Sequence, residues 1–267
     1  MNPMLNIAVR AARAAGDLIM RYAERVEDLP VTDKGRNDFV TDVDRGAEEQ
    51  IKHIISRHYP SHGILAEESG GIEGEEYTWI IDPLDGTTNY LHGFPQFAVS
   101  IALAKADKLV AGVVFDPQRN ELFTAVRGEG AQLNSRRIRV SKQRNLEGAL
   151  LGTGIPYSTT KNLDSYLSML RALAIDSAGI RRAGAASLDL AYVAAGRLDG
   201  FWEIGLKPWD MAAGVLLIQE AGGRVGDLTD GANYLWNGHI VAASPKVYSA
   251  MQAVLRPLVP SALHVNA

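Results

Sequence analysis

A series of apolar runs and short turns, at residues 97–140, constrains the fold of this chain more than any other feature of its sequence. It contains the runs FAVSIALAK, LVAGVVFD and ELFTAVR, and the segments between them are rich in Asp, Asn, Pro and Gly. This pattern predicts antiparallel strands joined in sequence order. The resulting sheet must bury at least one face, so we expect helices to cover it.

Helical patterns lie on both sides of these predicted strands. Apolar residues recur every three or four positions along residues 5–23 and 47–55, and Thr41 with Asp44 resembles a capping box. The polar segment 33–38 (DKGRND) is interpreted as a loop. In the second half of the chain, helices that alternate with strands are predicted at 164–173, 187–195 and 210–221. Mixed sheets layered with helices predict an α/β or α+β class.

Composition excludes several classes of function. Lys and Arg number 27 against 31 Asp and Glu, a formal net charge of −4 over 267 residues. This balance argues against a protein whose main function is to coat nucleic acid, which requires a basic surface. The sequence has no cysteine, which excludes disulfide frameworks and thiol nucleophiles and is typical of a cytoplasmic protein. No segment approaches 18 uninterrupted apolar residues, so we expect no membrane span.

Acidic residues stand where predicted strands end. Glu67 and Asp82 each follow an apolar run, Asp85 comes three residues after Asp82, and Asp210 opens a predicted helix. Pro83 favours an extended conformation for the residue before it, so the two neighbouring carboxylates can point at one place. Their repulsion is tolerable only with a cation between them or with one shared proton. All-oxygen ligands suit Mg²⁺.

The residues that follow these acids can bind phosphate. Gly86, Thr87 and Thr88 come directly after Asp85, and backbone N–H groups at such a turn or helix start can hold a phosphate oxygen. Acids, a cation and amides together indicate phosphoryl chemistry. The alternative interpretation is that Asp82 and Asp85 are ordinary turn formers. The D-x-x-D spacing argues against a haloacid-dehalogenase-type phosphatase, whose aspartates are spaced D-x-D.

Four segments carry a family resemblance. They are DFVTDVD at 38–44, GILAEES at 63–69, WIIDPLDGTTN at 79–89 and WDMAAG at 209–214. In these segments the chain resembles the inositol monophosphatase family, and within it the bacterial SuhB-type members. The resemblance implies a layered α-β-α-β-α sandwich, usually dimeric, that hydrolyses phosphate monoesters with two to three Mg²⁺ ions and is inhibited by Li⁺. It also implies one domain over residues 1–267, with an α+β half at about 1–145 and an α/β half at about 146–267.

The resemblance implies a set of metal ligands. The residues that match the ligands of a first Mg²⁺ ion are Glu67, Asp82 and, through its backbone carbonyl, Leu84. The residues that match those of a second, more weakly held ion are Asp82, Asp85 and Asp210. A third ion is implied near Glu67 and the Lys34 loop, which the resemblance implies to be mobile.

Catalytic and substrate-binding residues follow from the same resemblance. Asp44 and Thr87 match the pair that orients the attacking water, with Glu67 beside them, and the Gly86 and Thr87 amides match a phosphate cradle. The residues that match the binding region for the alcohol part of the substrate are Arg181, Gly184, Ala185, Ala186 and Glu203, together with Asp85 and Asp210. Because bound cations can activate water, we predict direct in-line attack without a phosphoenzyme.

Substrate and cellular function stay open at this point. The preferred substrate is myo-inositol 1-phosphate; fructose 1,6-bisphosphate, adenosine 3′,5′-bisphosphate and histidinol phosphate are alternatives, because related pockets overlap. The resemblance to SuhB-type proteins also implies a regulator that binds RNA polymerase, the ribosomal RNA antitermination machinery or RNA. The basic segment 136–144 is interpreted as a strand with one solvated basic face, or as such a contact. The sequence does not decide whether Arg181 and Arg182 bind the substrate, form an ion pair or lie at a dimer interface.

Overall fold

The structure, a computed structural model, describes residues 2–23, 31–35, 38–156 and 162–263. The helices in these ranges are α1 (Pro3–Tyr22), α2 (Asp42–His58), α3 (Thr87–Leu91), α4 (Leu163–Asp176), α5 (Ala186–Ala194), α6 (Pro208–Glu220), α7 (Tyr234–Asn237) and α8 (Pro245–Leu255). Two 3-10 turns follow at Arg256–Leu258 and Ser261–Leu263. Across the ranges that the structure describes, no helix combines the length and the apolar character needed to cross a membrane.

The strands form two large sheets and a hairpin. They are β1 (Val31–Gly35), β2 (Asp38–Thr41), β3 (Gly63–Ala66), β4 (Gly70–Ile72), β5 (Tyr77–Asp85), β6 (Ala98–Lys105), β7 (Lys108–Asp116), β8 (Glu121–Val126), β9 (Gly130–Leu133), β10 (Arg136–Arg137), β11 (Leu150–Thr153), β12 (Gly179–Arg181), β13 (Gly200–Ile204), β14 (Arg224–Gly226) and β15 (His239–Ala243). The hairpin is β1-β2, and the two sheets have the orders β10-β9-β8-β7-β6-β5-β3-β4 and β12-β11-β13-β15-β14. The predicted antiparallel series is confirmed, because β6 to β9 pair consecutively.

Helices and sheets alternate in five layers. α1 and α2 cover one face of the eight-stranded sheet, through a core that includes Ile19, Ile51 and Trp79. α5 and α6 lie between the two sheets, where Leu190 and Leu216 belong to one buried cluster with residues of both. α4 and α8 cover the other face of the five-stranded sheet. The order α-β-α-β-α confirms the expected fold class.

The N-terminus of α2 shows how local sequence fixes a residue of the later site. Thr41 Oγ1 accepts hydrogen bonds from the N–H groups of Val43 and Asp44, and the Asp44 carboxylate accepts one from the Thr41 N–H at 2.8 Å. This is the capping box that the sequence predicted. Asp44 is therefore held in the first turn of α2 and is only 1% exposed.

Two local predictions were wrong. Residues 33–38 are not a loop: Asp33 pairs with Phe39 and Gly35 with Asp38 in the hairpin, while residues 36–37 lie outside the described ranges. Backbone hydrogen bonds hold such a hairpin, so its polar composition did not reveal it. In the basic segment only Arg136–Arg137 is a strand. The chain then leaves the sheet, since the Val140 N–H donates to the carbonyl of Ala221 beyond α6.

Candidate active site

The end of β5 brings two acids to one edge of the eight-stranded sheet. Asp82 of β5 pairs with Ser100 of the neighbouring strand β6, and Asp85 pairs with Ala98. The two pairs are three residues apart on β5 but only two apart on β6, which is the mark of a β-bulge. Pro83 has no N–H with which to continue the ladder, and a bulge of this kind re-aims the side chains around it. Asp82 Oδ1 accepts a hydrogen bond from the Leu84 N–H at 3.0 Å. Asp82 as a residue is only 1% exposed.

Glu67 reaches the same edge from β3. This strand runs parallel to β5 with Ala66 opposite Ile81, and the Glu67 N–H donates to the Ile81 carbonyl at 3.2 Å. Because both strands end at one edge, the acids that follow them become neighbours. The Glu67 and Asp82 carboxyl groups are close enough for the charge of Glu67 to raise the pKa of Asp82, after the larger effect of burial.

Asp210 comes to these acids from the helix layer. It is the third residue of α6, which begins at Pro208, and its Oδ2 accepts a hydrogen bond from the Lys207 N–H at 2.7 Å. The start of α6 is tied to the large sheet, since Ser100 Oγ donates to the Trp209 carbonyl at 3.1 Å. Ser100 is the residue opposite Asp82, so this bond places Asp210 over the edge of β5.

Burial and mutual repulsion raise the pKa values of these acids. Burial raises the pKa of Asp82 far above its ordinary value, and the charges of Glu67, Asp85 and Asp210 add to the effect. Burial, followed by the charge of Asp85, does the same for the pKa of Asp210. Burial raises the pKa of Asp85 to about 6, although Ser187 opposes it. The four carboxyl groups therefore form one electrostatic cluster, which we call the acid rim: Glu67, Asp82, Asp85 and Asp210.

The chemistry of the acid rim fits a hard divalent cation. Its donors are oxygens only, and a cation would remove the repulsion that adds to the effect of burial on the pKa values of Asp82 and Asp210. Within the described ranges, no group of three or more Asp, Glu or His side chains is already arranged to hold a metal ion. Three of the carboxylates instead accept hydrogen bonds from backbone N–H groups, Asp82 from Leu84, Asp85 from Ser187 and Asp210 from Lys207. Ion binding would therefore require these side chains to turn toward one point.

Asp44 and Thr87 meet beside the acid rim. Thr87 Oγ1 lies 3.0 Å from Asp44 Oδ1 and 3.0 Å from the Leu84 carbonyl oxygen, so its proton can go to either. Burial raises the pKa of Asp44, while its bonds from Thr41 and Thr87 limit the rise. The contact between Asp44 and Thr87 joins the first turn of α2 to the first turn of α3. The Leu84 carbonyl lies beside this contact.

Gly86 allows the sharp turn into α3. Its φ of +92° is in the left-handed region, and a Cβ at this position would lie 2.8 Å from the Gln96 carbonyl oxygen. Only glycine fits both conditions. The first N–H groups of a helix have no acceptor inside the helix, so the amides at the start of α3 can bind an anion.

A cavity of about 140 Å³ adjoins the acid rim. Its lining residues are Asp85, Thr153, Gly154, Arg182, Gly184, Ala185, Ala186, Asp189, Glu203, Leu206 and Asp210. It thus brings together Asp85, Asp210 and four of the five residues matched to the alcohol part of the substrate. The structure does not bring Arg181 here, because that residue is exposed and its guanidinium donates to the adjacent Ile180 carbonyl. The side chain of Lys34, in β1, lies outside the described residues.

The sequence analysis missed several residues of this site. The Ser187 N–H donates to Asp85 Oδ2 at 2.7 Å, and Asn89 Nδ2 donates to the carbonyls of Gln96 at 2.8 Å and Ala183 at 2.9 Å. Asn89 therefore ties α3 to the segment before α5. Asp189 was missed although a signal exists, since it is the one acid in the apolar run SLDLAYVAA.

The fold and the acid rim define a class of protein. A five-layer α-β-α-β-α sandwich, with carboxylates gathered beside a glycine-led helix start, is the architecture of a phosphatase of the inositol monophosphatase type. The model of the Inositol monophosphatase family matches residues 1–261. The chain belongs to the inositol monophosphatase family.

Individual relatives agree with this assignment. A Pseudomonas aeruginosa protein named Nus factor SuhB is 56% identical, over 98% of this chain and 99% of its own. A crystal structure of the extragenic suppressor protein suhB from Bartonella henselae is 46% identical and superposes with a TM-score of 0.93 over 96% of this chain and 99% of that one. The Thermotoga maritima IMPase is 33% identical with a TM-score of 0.87, over 96% and 98% of the two chains.

Proposed function

We propose that this chain is a Mg²⁺-dependent phosphatase that hydrolyses small phosphate monoesters, with myo-inositol 1-phosphate as the preferred substrate. The observation that carries the proposal is the acid rim, in which carboxyl groups that follow β3, end β5 and open α6 lie together, and burial and then the neighbouring charges raise the pKa values of Asp82 and Asp210. Buried acids with raised pKa values at a cavity are typical of functional sites. The family match supports the same reaction class.

Bound cations would neutralise the phosphate, lower the pKa of a water molecule and stabilise the leaving alkoxide. The residues that would hold the first ion are Glu67, Asp82 and the carbonyl of Leu84. Those that would hold a second are Asp82, Asp85 and Asp210. A third position, near Glu67 and Lys34, is part of the same proposal.

Asp44 and Thr87 supply the acid–base part of the mechanism. Asp44 is anchored by the Thr41 N–H, so its Oδ1 faces Thr87 in one fixed orientation. Burial raises its pKa, which makes it a better proton acceptor than an exposed carboxylate. Thr87 Oγ1 would orient the attacking water, and the Gly86 and Thr87 amides would hold a phosphate oxygen. The water would attack in line as the bond to the leaving alcohol breaks, with no covalent link between phosphate and protein.

A substrate panel tests the proposal. We expect Mg²⁺-dependent phosphate release with the highest kcat/KM for myo-inositol 1-phosphate, compared with fructose 1,6-bisphosphate, adenosine 3′,5′-bisphosphate and histidinol phosphate. Acid quenching with ³²P-labelled substrate should leave no label on the protein, and Li⁺ should inhibit. A wild-type protein that releases no phosphate from any of them with Mg²⁺ or Mn²⁺ contradicts the proposal, and labelled protein contradicts the mechanism.

The names of the relatives favour a second candidate function, as a factor that binds the transcription machinery. Relatives at 51–56% identity carry the name Nus factor SuhB. The basic side chains of 136–144 are all exposed, which is compatible with an RNA or acidic partner. Asp82→Asn separates the two functions: if an antitermination reporter keeps its output while phosphate release is lost, binding does not depend on catalysis. We also propose that the protein is a homodimer, as the family resemblance implies, and light scattering in solution tests this.

A further inference from the structure

Asp85 differs from two of its neighbours in the acid rim in where its hydrogen-bond donors come from. Asp82 and Asp210 accept hydrogen bonds from N–H groups of their own segments, which lie two and three residues away along the chain. Asp85 instead accepts from Ser187, which is 102 residues away and lies in the first turn of α5. The orientation of the Asp85 carboxylate therefore depends on how another helix packs against the end of β5.

Ser187 makes two hydrogen bonds to a single carboxylate oxygen. Its N–H donates to Asp85 Oδ2 at 2.7 Å, and its hydroxyl group donates to the same oxygen. Hydrogen bonds to an ionised carboxylate are stronger than those between neutral groups. Two such donors fix which oxygen of Asp85 faces α5, and Oδ1 is the oxygen that these bonds leave for another ligand.

The surroundings of Ser187 hold its two donors in place. The residue is fully buried, as are the residues next to it at the start of α5. The N-cap residue of α5 is Ala185, whose side chain cannot accept a hydrogen bond, so Asp85 supplies an acceptor that the first turn lacks. Asn89 Nδ2 also donates to the carbonyl of Ala183 at 2.9 Å. The segments that carry Ser187 and Asp85 are thus joined at two points.

We infer that Ser187 is a positioning residue, whose hydroxyl group fixes the orientation of Asp85 for a divalent cation at the acid rim. Hydrogen bonds from residues outside the ligand set orient metal ligands, and the loss of one typically weakens metal binding about 10-fold to 100-fold. Without the hydroxyl group the N–H of residue 187 alone holds the carboxylate, so ion binding must order a side chain that has more freedom. This inference rests on the proposed phosphatase function and adds a residue to its cation site.

Cation binding without substrate tests the role of Ser187. Ser187→Ala removes the hydroxyl group and keeps the N–H, whereas Ser187→Cys fills the space with a weak donor. We expect both variants to bind Mg²⁺ about 10-fold more weakly than the wild type, both in calorimetric titration and in the Mg²⁺ concentration that gives half of the rise in Tm from EDTA. The apparent KM for Mg²⁺ should rise by a similar factor, while kcat at saturating Mg²⁺ stays within about threefold. Ser244→Ala removes another buried hydroxyl group, which donates to the Gln143 carbonyl, and is the control that should bind Mg²⁺ as the wild type does.

Each alternative result is decisive. Equal Mg²⁺ affinity in the wild type and Ser187→Ala overturns the inference, even if the Tm in EDTA falls, because Ser187 would then be structural only. Wild-type affinity in Ser187→Cys, or an equal loss in Ser244→Ala, also overturns it, since packing and not the hydrogen bond would be responsible. If Ser187→Ala does not fold, the affinity of Ser187→Cys decides alone. A wild type that binds Mg²⁺ but hydrolyses nothing contradicts only the proposed function, whereas one that binds neither Mg²⁺ nor Mn²⁺ contradicts both.

Discussion

Two places in this molecule bury acidic side chains, and they do so in opposite ways. In the loop after β14, Asp227 is 6% exposed and accepts hydrogen bonds from the Thr229 and Gly231 N–H groups at 2.8 Å and from Asn237 Nδ2 at 3.0 Å. Burial tends to raise the pKa of Asp227, but these bonds outweigh it and the pKa is lowered. In the acid rim, burial and neighbouring carboxylates both raise the pKa values of Asp82 and Asp210.

The difference separates an acid whose burial serves stability from acids whose burial costs stability, as expected of the proposed cation site. The charged form of Asp227 is satisfied by its own loop, so it strengthens the fold without any ligand. In the acid rim, the N–H groups of Leu84, Ser187 and Lys207 each donate to one carboxylate, yet the pKa values of Asp82 and Asp210 stay raised, so a bound cation would relieve the repulsion among the carboxylates. Stored repulsion of this kind costs stability, and a ligand that relieves it gains binding energy.

The largest expected effect is on catalysis at the acid rim. Asp82→Asn should lower kcat/KM at least about a thousandfold, or about 4 kcal/mol of barrier, because it removes an oxygen ligand shared by two proposed cation positions. In EDTA its Tm should not fall, since the amide oxygen can still accept the Leu84 N–H while one repelling charge is lost. Phosphate release and calorimetry measure the two effects. A large loss of Tm in EDTA would make Asp82 a structural acid like Asp227.

Addition of Mg²⁺ should stabilise the wild type next most strongly. At a free concentration of 100 times Kd, linkage gives about 2.7 kcal/mol, which corresponds to about 5–10 °C in Tm for a chain of this size. Asp82→Asn should lose most of this shift, and Asp227→Asn should keep it. No shift in the wild type on titration from EDTA to saturating Mg²⁺ would contradict a cation site at the acid rim.

Asp227→Ala should destabilise the protein by about 2–3 kcal/mol, because it leaves several buried donors without an acceptor. Its kcat/KM should stay within about twofold of the wild type, because Thr229, Gly231 and Asn237, which donate to Asp227, do not line the cavity. Urea unfolding and steady-state kinetics on the same preparation measure both. A comparable loss of activity would show that the two buried-acid regions are coupled.

The smallest expected effect is on how stability depends on pH in EDTA, where Asp227 and Glu203 should contribute in opposite directions. The pKa of Asp227 is lowered, so its stabilisation is present above about pH 4 and is lost as the pH falls through its folded pKa. Burial, with the charges of Asp189 and Asp85, raises the pKa of Glu203 to about 8, so its contribution is lost as the pH rises from about 4.5 through 8. The free energy of unfolding in urea should therefore rise for Glu203→Gln relative to the wild type as the pH increases toward 9. For Asp227→Asn, the difference from the wild type should become small below pH 4. If the stability of each variant changed with pH in parallel with that of the wild type, the contrast between Asp227 and Glu203 would be contradicted.

Sequence reasoning reached the mixed α/β class and the grouping of acids at strand ends because both have local causes, whereas the five-layer sandwich came from the family resemblance. Strand ends, a proline and a glycine around Asp82 and Asp85 restrict the backbone wherever the chain lies, and the capping box of α2 needs only Thr41 and Asp44. Partners far apart along the chain have no such signal. Ser187 is 102 residues from the Asp85 that it contacts, and only the packing of α5 against the edge of β5 brings them together.

The arginine pair shows why neighbours in sequence could not be separated. Arg181 ends β12 and Arg182 follows it, and successive residues of an extended chain point to opposite sides. Which of them faces the cavity depends on the register of β12 against β11, where Gly152 lies opposite Arg181. No residue pattern near position 181 reports that register.

The amide of Asn89 has a consequence for how such genes can recombine. This one side chain bonds the carbonyls of Gln96 and Ala183, which lie on either side of the midpoint of the chain. A hybrid protein that joins the first half of one homologue to the second half of another would combine an Asn89 amide and an Ala183 segment that did not evolve together. Functional chimeras should therefore take residues 79–96 and 179–189 from the same parent, wherever else their crossovers fall.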